Sequence, residues 1–142
     1  MTQREIALQV AFRYLGQWYK WGGDDPQGFD CSGFIIECFK SAHMLPREGD
    51  WTAASLAEFF RDAPKIQAVN MLKPGHIVFW GSPPRYVHIE MVYENYGGGR
   101  VVTIGASGGG SRTVNESDAI RDNAFIKIRP VKPGWTLALD PF

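Results

Sequence analysis

The chain has 142 residues, with 15 basic and 15 acidic side chains and a formal net charge of +0. This length suits one domain, and 44% hydrophobic residues with 13% aromatics exclude wholesale disorder. The balanced charge argues against a nucleic-acid-binding protein, because neutralising phosphates requires a basic face. No stretch approaches the roughly 18 consecutive apolar residues of a membrane span. We therefore expect neither nucleic acid nor a membrane as a partner.

Three helices are predicted in the first half of the chain. Apolar residues recur at helical spacing from Thr2 to about Leu15, and similar patterns cover residues 31–42 and 52–61. Glycines and a proline make residues 17–29 a turn-rich connection. The residues expected to face the core on the second and third helices are Phe34, Ile35, Cys38, Phe39, Leu56, Phe59 and Phe60.

The second half of the chain is predicted to form strands. Extended segments are expected at residues 76–80, 86–93, 100–106 and 125–129. Helices followed by strands indicate an α+β fold with a mainly antiparallel sheet. Because no internal repeat or linker composition interrupts the chain, we expect residues 1–142 to form a single domain.

The two cysteines are expected to be free thiols with different roles. Cys31 and Cys38 lie seven positions apart, which is about 10.5 Å along a helix and too far for a disulfide. Cys31 begins the second predicted helix behind Asp30, a suitable N-cap, and the positive end of a helix dipole favours a thiolate. A small buried side chain would also explain Cys31, whereas Cys38 in mid-helix is expected to pack in the core.

One of the three histidines is suited to act as a base beside such a thiol. Strand alternation puts His88 on one face with Tyr86 and Glu90, as in a sheet that lines a cleft, although a solvent-facing histidine gives the same pattern. His43 follows the second helix, and His76 is expected at the solvent-exposed start of a strand. A helix-start cysteine with a strand histidine is the arrangement of Cys/His acyl-transfer enzymes.

No metal or cofactor is expected. The cysteines and histidines lack zinc spacing, and the glycine-rich segment 105–110 has no lysine for a phosphate cradle. Tyr19 and Trp21 lie in the connection before Cys31, where one of these aromatic rings could face a cleft while the other packs in the core.

Residues 19–33 resemble the nucleophile motif of the NlpC/P60 cysteine peptidases. The matching residues are Tyr-Lys-Trp-Gly-Gly, then Phe-Asp-Cys-Ser-Gly at the predicted helix start. Segments 72–80, 86–93 and 104–107 are similar to the family's strands, so the resemblance covers about residues 5–130. It implies a papain-like core in which the nucleophile helix packs on an antiparallel sheet.

The resemblance also implies an activity, the hydrolysis of peptide bonds in bacterial peptidoglycan. The usual bond joins D-glutamate, through its γ-carboxyl, to a diamino acid of the stem peptide. By motif position Cys31 would be the nucleophile and His88 the general base. The backbone N–H of Cys31 and the side chain of Tyr19 would hold the oxyanion.

Further residues are expected to contact the substrate, a peptidoglycan stem peptide. Asp30 and Ser32 match positions that in relatives receive the free amino end of that peptide. Trp21 in the same motif and Ser107 at the end of a strand complete the predicted substrate-binding set.

One position departs from the family pattern. The third catalytic residue, usually a histidine, precedes Ala-Ser, but here that place is Gly105. Three interpretations are open: Glu90 orients His88, a hydroxyl of Ser107 or Thr103 does so, or the site is impaired. We favour an active enzyme that uses Glu90, since losing the orienting residue reduces the rate less than losing the nucleophile or base. The alternatives are an amidase or acyltransferase with the same Cys–His pair, and a non-catalytic cell-wall-binding or phage-tail domain.

The start of the chain does not resemble a secretion signal, because Gln9 interrupts a short apolar stretch and no small-residue cleavage site follows. We therefore expect synthesis in the cytoplasm and action in the cell wall or periplasm. Release at lysis, a phage tail, a secretion system or a fused partner chain would each provide delivery.

Overall fold

Helices form where the sequence predicts them, and a fourth follows. The computed structural model describes residues 1–20, 24–25, 28–49 and 51–142, with the backbone alone at 24–25 and 28–29. The helices are α1 (Gln3–Arg13), α2 (Cys31–Ser41), α3 (Ala53–Phe59) and α4 (Glu116–Asp122), with a 3₁₀ turn at Val69–Met71. Within the described ranges, no helix combines the length and the apolar character needed to cross a membrane.

The sequence pattern does not predict α4, because its only apolar side chains, Ala119 and Ile120, are adjacent and form no helical repeat. Its signals lie at its ends instead. The side chain of Asn115 accepts a hydrogen bond from the backbone N–H of Asp118 at 2.9 Å. Asn123 ends the helix in the left-handed conformation, with φ 51°. Asparagine is favoured at both positions, so the capping residues define this helix.

A five-stranded antiparallel sheet forms the second half of the fold, in the order β6-β5-β4-β3-β7. Its strands are β3 (Ile77–Trp80), β4 (His88–Asn95), β5 (Val101–Ser107), β6 (Phe125–Pro130) and β7 (Leu137–Leu139). Two antiparallel strands of two residues each, β1 (Asp24–Asp25) and β2 (Gly28–Phe29), precede α2. The four predicted strands and the α+β class are thus confirmed, while β7, β1 and β2 are too short for alternation to indicate them.

The prediction that Tyr86 belongs to the strand of His88 is wrong. β4 begins at His88, and Tyr86 lies in the loop before it. Its ring packs against Phe79 with the ring centroids 5.0 Å apart. Burial of this large aromatic surface fixes Tyr86 against the core rather than on the polar strand face.

Helices α1 and α2 share one core with the sheet. The predicted inward residues of α2 are all buried, and so are Leu56 and Phe60 of the third helical segment. Phe59 is an exception, being 48% exposed, because its ring turns toward Trp51 at 5.2 Å. Phe60 instead packs edge-on against Phe39 at 5.5 Å. The core therefore holds α2 in place, which matters because α2 begins at Cys31.

The prediction that His76 lies at a solvent-exposed strand end is also wrong. Only 2% of its surface is exposed. Its Nδ1 accepts a hydrogen bond from the backbone N–H of Lys73 at 3.0 Å, and its Nε2 lies 3.6 Å from the carboxylate of Asp140. Burial lowers the pKa of His76, and the nearby carboxylate offsets this only in part. His76 thus links the start of β3 to the segment after β7.

Replacing Phe39 tests how far α2 depends on this core. Phe39→Ala removes a fully buried ring, and we expect the free energy of unfolding to fall by about 3–5 kcal/mol. The matched control is Phe12→Ala, since Phe12 is 53% exposed and should change stability by less than about 1 kcal/mol. Urea unfolding at neutral pH measures both. Equal losses for the two variants would contradict this account of the core.

Candidate active site

Asp30 and Cys31 form the start of α2. The carboxylate of Asp30 accepts a hydrogen bond from the backbone N–H of Gly33 at 2.6 Å, which is the N-cap contact that the sequence predicts. The Ser32 hydroxyl lies 3.4 Å from the same carboxylate oxygen. Cys31 is the first helical residue and is partly exposed, so its sulfur sits at the positive end of the helix dipole. Cys38 is a free thiol buried in the core, as predicted.

His88 is the first residue of β4 and faces the sulfur of Cys31. The imidazole is hydrogen-bonded to the Cys31 side chain and to Glu90. Its Nε2 lies 2.5 Å from Oε2 of Glu90, and its ring packs at 5.3 Å from the ring of Trp80. The structure therefore brings together Cys31, His88 and Glu90, although 57 positions of the chain separate the cysteine from the histidine.

The surroundings of His88 favour its positively charged form. Burial alone would lower the pKa of the imidazole, because a charged ring loses hydration. The hydrogen bonds to Cys31 and Glu90, and the negative charges of both groups, outweigh burial and raise the pKa of His88 to about 9. The imidazole is consequently protonated at neutral pH, which is the state that pairs with a thiolate.

Glu90 is fully buried, yet its carboxylate is well supplied with hydrogen-bond donors. Thr103 donates through its hydroxyl to Oε1 at 2.8 Å. Oε2 is in contact with both His88 and the guanidinium of Arg129. Burial would raise the pKa of Glu90, but the hydrogen bonds from His88 and Arg129 outweigh it and hold the pKa below its usual range. Glu90 is therefore an anion in a position that water does not reach.

Gly105 provides the space that Glu90 occupies. A Cβ atom placed on Gly105 would lie 2.5 Å from Cγ and 2.9 Å from Cδ of Glu90, which is closer than side-chain carbons approach. A glycine on β5 is thus a condition for the contact between Glu90 and His88. Of the groups considered from sequence, Glu90 contacts His88, while Thr103 contacts Glu90. The hydroxyl of Ser107 is buried and has no hydrogen-bond partner among the residues that the structure describes.

Tyr19 lies beside the start of α2 with its ring buried. Burial raises the pKa of its phenol above the usual value, and the neighbouring Cys31 and Asp30 add to that shift. Tyr19 therefore keeps its proton and remains a hydrogen-bond donor. Gly109 lies directly against this ring, and a Cβ at that position would be 2.2 Å from a ring carbon. Trp21, the other aromatic residue predicted for the site, falls outside the described residues.

Sequence reasoning misses Arg129. Pairing of β5 with β6 places it opposite Thr103, and the guanidinium reaches the carboxylate of Glu90 on the next strand. A buried carboxylate requires a cationic or donor partner, but strand alternation places Glu90 only on a polar face and does not indicate that it is buried. In the described part of the chain, no group of three or more His, Cys, Asp or Glu side chains is arranged to hold a metal ion.

Comparison with known proteins assigns the chain to a family. The model of the NlpC/P60 family matches residues 16–126, which include every residue of the site except Arg129. The chain belongs to the NlpC/P60 family. Peptidases of this family are cysteine peptidases, and peptidoglycan hydrolases are among its members.

Curated relatives include several cell-wall enzymes. Protein P54 of Enterococcus faecium is 34% identical over 93 residues, or 65% of this chain and 16% of the relative. The probable endopeptidase p60 of Listeria welshimeri is 33% identical over 89 residues, or 62% of this chain and 16% of the relative. The gamma-D-glutamyl-L-lysine dipeptidyl-peptidase of Bacillus subtilis is 27% identical over 127 residues. Those residues are 88% of this chain and 40% of that enzyme. This chain therefore spans less than half the length of each of these three relatives.

Solved structures confirm the papain-like α+β fold. The NlpC/p60 domain of the peptidoglycan hydrolase SagA is similar with a TM-score of 0.67 and 27% identity, covering 96% of this chain and 97% of that one. The P60 domain of the M. avium subspecies paratuberculosis antigen MAP1204 has a TM-score of 0.63 at 24% identity, covering 97% and 93%. The second likeness supports the fold alone.

The contact between Gly105 and Glu90 predicts a specific effect of one methyl group. Gly105→Ala should displace the Glu90 side chain, lowering the free energy of unfolding by about 1–3 kcal/mol and lowering the pKa of His88 from about 9. Gly110→Ala is the control, because a Cβ there meets no atom within 4 Å. Urea unfolding and NMR titration of His88 measure the two effects. A Gly105→Ala protein that matches the control in both would refute the close contact.

Proposed function

We propose that this chain is a peptidoglycan endopeptidase that cleaves stem peptides through an acyl-enzyme on Cys31, with His88 as base. The observation that carries the proposal is the hydrogen-bonded series Cys31–His88–Glu90 at the start of α2. A thiol at a helix N-terminus, an imidazole that accepts its proton and a carboxylate that holds the imidazole are the components of cysteine-protease chemistry. Membership of the NlpC/P60 family supports the choice of peptidoglycan as substrate.

The reaction follows from the two nitrogens of His88. Glu90 engages Nε2, so Nδ1 is the nitrogen that faces the sulfur and takes its proton. The thiolate of Cys31 attacks the scissile carbonyl carbon, and the imidazolium then gives the proton to the leaving amine as the C–N bond breaks. Water next gives a proton to His88 and attacks the thioester, which releases the acid and restores the thiol.

Two donors are suited to stabilise the oxyanion of each tetrahedral intermediate. One is the backbone N–H of Cys31, which lies in the first turn of α2, where amide groups have no helical acceptor. The other is the phenol of Tyr19, which burial and neighbouring negative charge keep protonated. Both contribute most when negative charge develops on the carbonyl oxygen.

The proposed substrate bond joins γ-D-glutamate to a diamino acid. This choice is supported by the relative named gamma-D-glutamyl-L-lysine dipeptidyl-peptidase. Asp30 and Ser32 lie beside Cys31 and are proposed to bind the free amino end of the stem peptide, with Asp30 also capping α2. Ser107, whose buried hydroxyl has no hydrogen-bond partner within the described ranges, is proposed to contact the substrate as well. Trp21 remains a prediction for the same role.

Glu90 is proposed to replace the family's third catalytic residue. The interpretation of an impaired site depends on Gly105 leaving His88 without a partner, whereas Glu90 contacts His88 directly. This contact favours an active enzyme over a binding or structural domain. The cell wall is the proposed site of action, and delivery through a phage tail or a secretion system remains a prediction.

Removal of the sulfur tests the nucleophile. Cys31→Ala should reduce product release from purified peptidoglycan or a synthetic stem peptide by at least about a thousandfold, because no acyl-enzyme can form. Cys38→Ala is the matched control, since that sulfur lies in the core and should be dispensable for the reaction. Equal product from wild type and Cys31→Ala would exclude the assignment. Mass analysis of the fragments distinguishes a peptidase from an amidase, which cuts a different bond.

Neutralising the carboxylate tests Glu90. Glu90→Gln keeps the size of the side chain but removes the charge that raises the pKa of His88. The imidazolium should then lose its proton at lower pH, so the alkaline limb of kcat/KM should move down from about pH 9. We expect kcat/KM at neutral pH to fall about a hundredfold, less than for loss of the nucleophile. Glu94→Gln on the same strand is the control, and a profile unchanged in Glu90→Gln would remove Glu90 from the mechanism.

A further inference from the structure

Arg129 is the partner of Glu90 that no catalytic motif contains. It lies on β6 opposite Thr103 of β5, and its guanidinium crosses to the carboxylate of Glu90 on β4. The Nη2 that touches Oε2 of Glu90 lies 3.5 Å from Nε2 of His88. The Arg129 side chain is 31% exposed, whereas Glu90 is not exposed at all. Oε2 of Glu90 thus contacts both the partly exposed guanidinium of Arg129 and the imidazole of His88, the proposed base.

We propose that Arg129 is a positioning residue of this site, which keeps the buried Glu90 ionised and thereby holds His88 as the charged partner of Cys31. The inference rests on the proposed function for its catalytic meaning. Arg129 itself touches neither the substrate nor the sulfur in this account. It acts through Glu90.

The physical need for a permanent cation follows from the burial of Glu90. A carboxylate withdrawn from water loses hydration worth several kcal/mol, and without compensation it takes up a proton instead. Thr103 offers one neutral hydrogen bond, which offsets only part of that loss. His88 is positive only while it holds its proton. Arginine stays charged at every pH of interest, so Arg129 keeps Glu90 ionised whatever the state of His88.

Among the described residues, no permanent cation other than Arg129 lies against the Glu90 carboxylate to keep it ionised. From β4 it faces His88, from β5 the neutral Thr103 and from β6 Arg129, while the strand pairing on β3 brings the apolar Val78 opposite it. Beyond His88 lies the sulfur of Cys31 at the start of α2.

Lys127 provides a contrast on the same strand. It lies two residues from Arg129 and pairs with Gly105, yet its Nζ donates to the backbone carbonyl of Asn123 at 2.8 Å. Lys127 therefore makes a suitable control for loss of a cation from β6 that leaves Glu90 untouched.

The test measures the Cys31–His88 pair without any substrate. The rate of Cys31 alkylation by iodoacetamide is followed from pH 4 to 10, with peptide mass mapping to separate Cys31 from Cys38. In Arg129→Met, the buried Glu90 has no permanent cation beside it and takes up a proton at acidic pH. The imidazolium of His88 then loses its anionic partner. We expect the pH of half-maximal alkylation to rise by about one unit, which is a tenfold slower reaction at fixed pH below that point.

Companion variants separate charge from packing. Arg129→Lys restores a cation at a single-point contact and should return at least half of the shift, whereas Arg129→Gln keeps a donor without charge and should shift like Arg129→Met. Lys127→Met should match wild type. Circular dichroism and urea unfolding identify any variant that fails to fold, and Arg129→Gln then replaces Arg129→Met as the uncharged variant.

A double-mutant cycle decides whether Arg129 acts through Glu90. In a Glu90→Gln background, Arg129→Met should cause no further shift of the alkylation profile. Additive shifts, or a profile that neither uncharged variant moves, would overturn the proposal. Cleavage of a stem peptide is assayed separately. A wild type that cleaves none would refute the proposed function, while the alkylation profiles would still report on Arg129.

Discussion

A negative charge held out of water is the constraint on which this site depends. The carboxylate of Glu90 is fully buried and is stabilised from three strands, by His88 beside it, by Thr103 on β5 and by Arg129 on β6. Each partner alone would be insufficient, because a lone hydrogen bond does not replace the hydration of a carboxylate. The antiparallel register of β4, β5 and β6 is therefore part of the proposed catalytic arrangement as well as of the fold.

The same constraint explains the departure from the family pattern at Gly105. Side chains two positions apart on a strand share a face but stand about 6.6 Å apart, so Glu90 must extend sideways to place its carboxylate against His88. The space for that carboxylate lies over the neighbouring strand, where a Cβ on residue 105 would collide with it. The glycine and the glutamate are thus one coupled feature. In the proposed site, the orienting group therefore lies on the strand of His88 itself rather than on the neighbouring strand.

Residue spacing along the chain predicts part of this structure, whereas the rest depends on how strands pair side by side in the sheet. The N-cap of Asp30, the helix start at Cys31 and the shared face of His88 and Glu90 follow from spacing along the chain. Arg129 lies 39 positions from Glu90 and reaches it only through the β5–β6 register, which a single sequence does not specify. The prediction of an exposed His76 is wrong for a similar reason. Its Nε2 lies 3.6 Å from the carboxylate of Asp140, a residue distant in the chain, and spacing along the sequence does not indicate that contact.

Cys31 and His88, the proposed nucleophile and base, come from different layers of the fold, so their separation is set by apolar packing between helix and sheet. Ile35 and Phe39 of α2 share one buried core with Ile89 and Met91 of β4. Ile89 alternates with His88 and Glu90 along the strand, so one face of β4 fixes α2 while the other carries the charged groups. Because reaction rates respond steeply to misplacement of about 1 Å, core residues that never meet substrate also determine the distance between the sulfur and the imidazole. In the proposed mechanism, the contacts from Arg129 through Glu90 to His88 set the charge of the imidazole, and the apolar core sets its position relative to the sulfur.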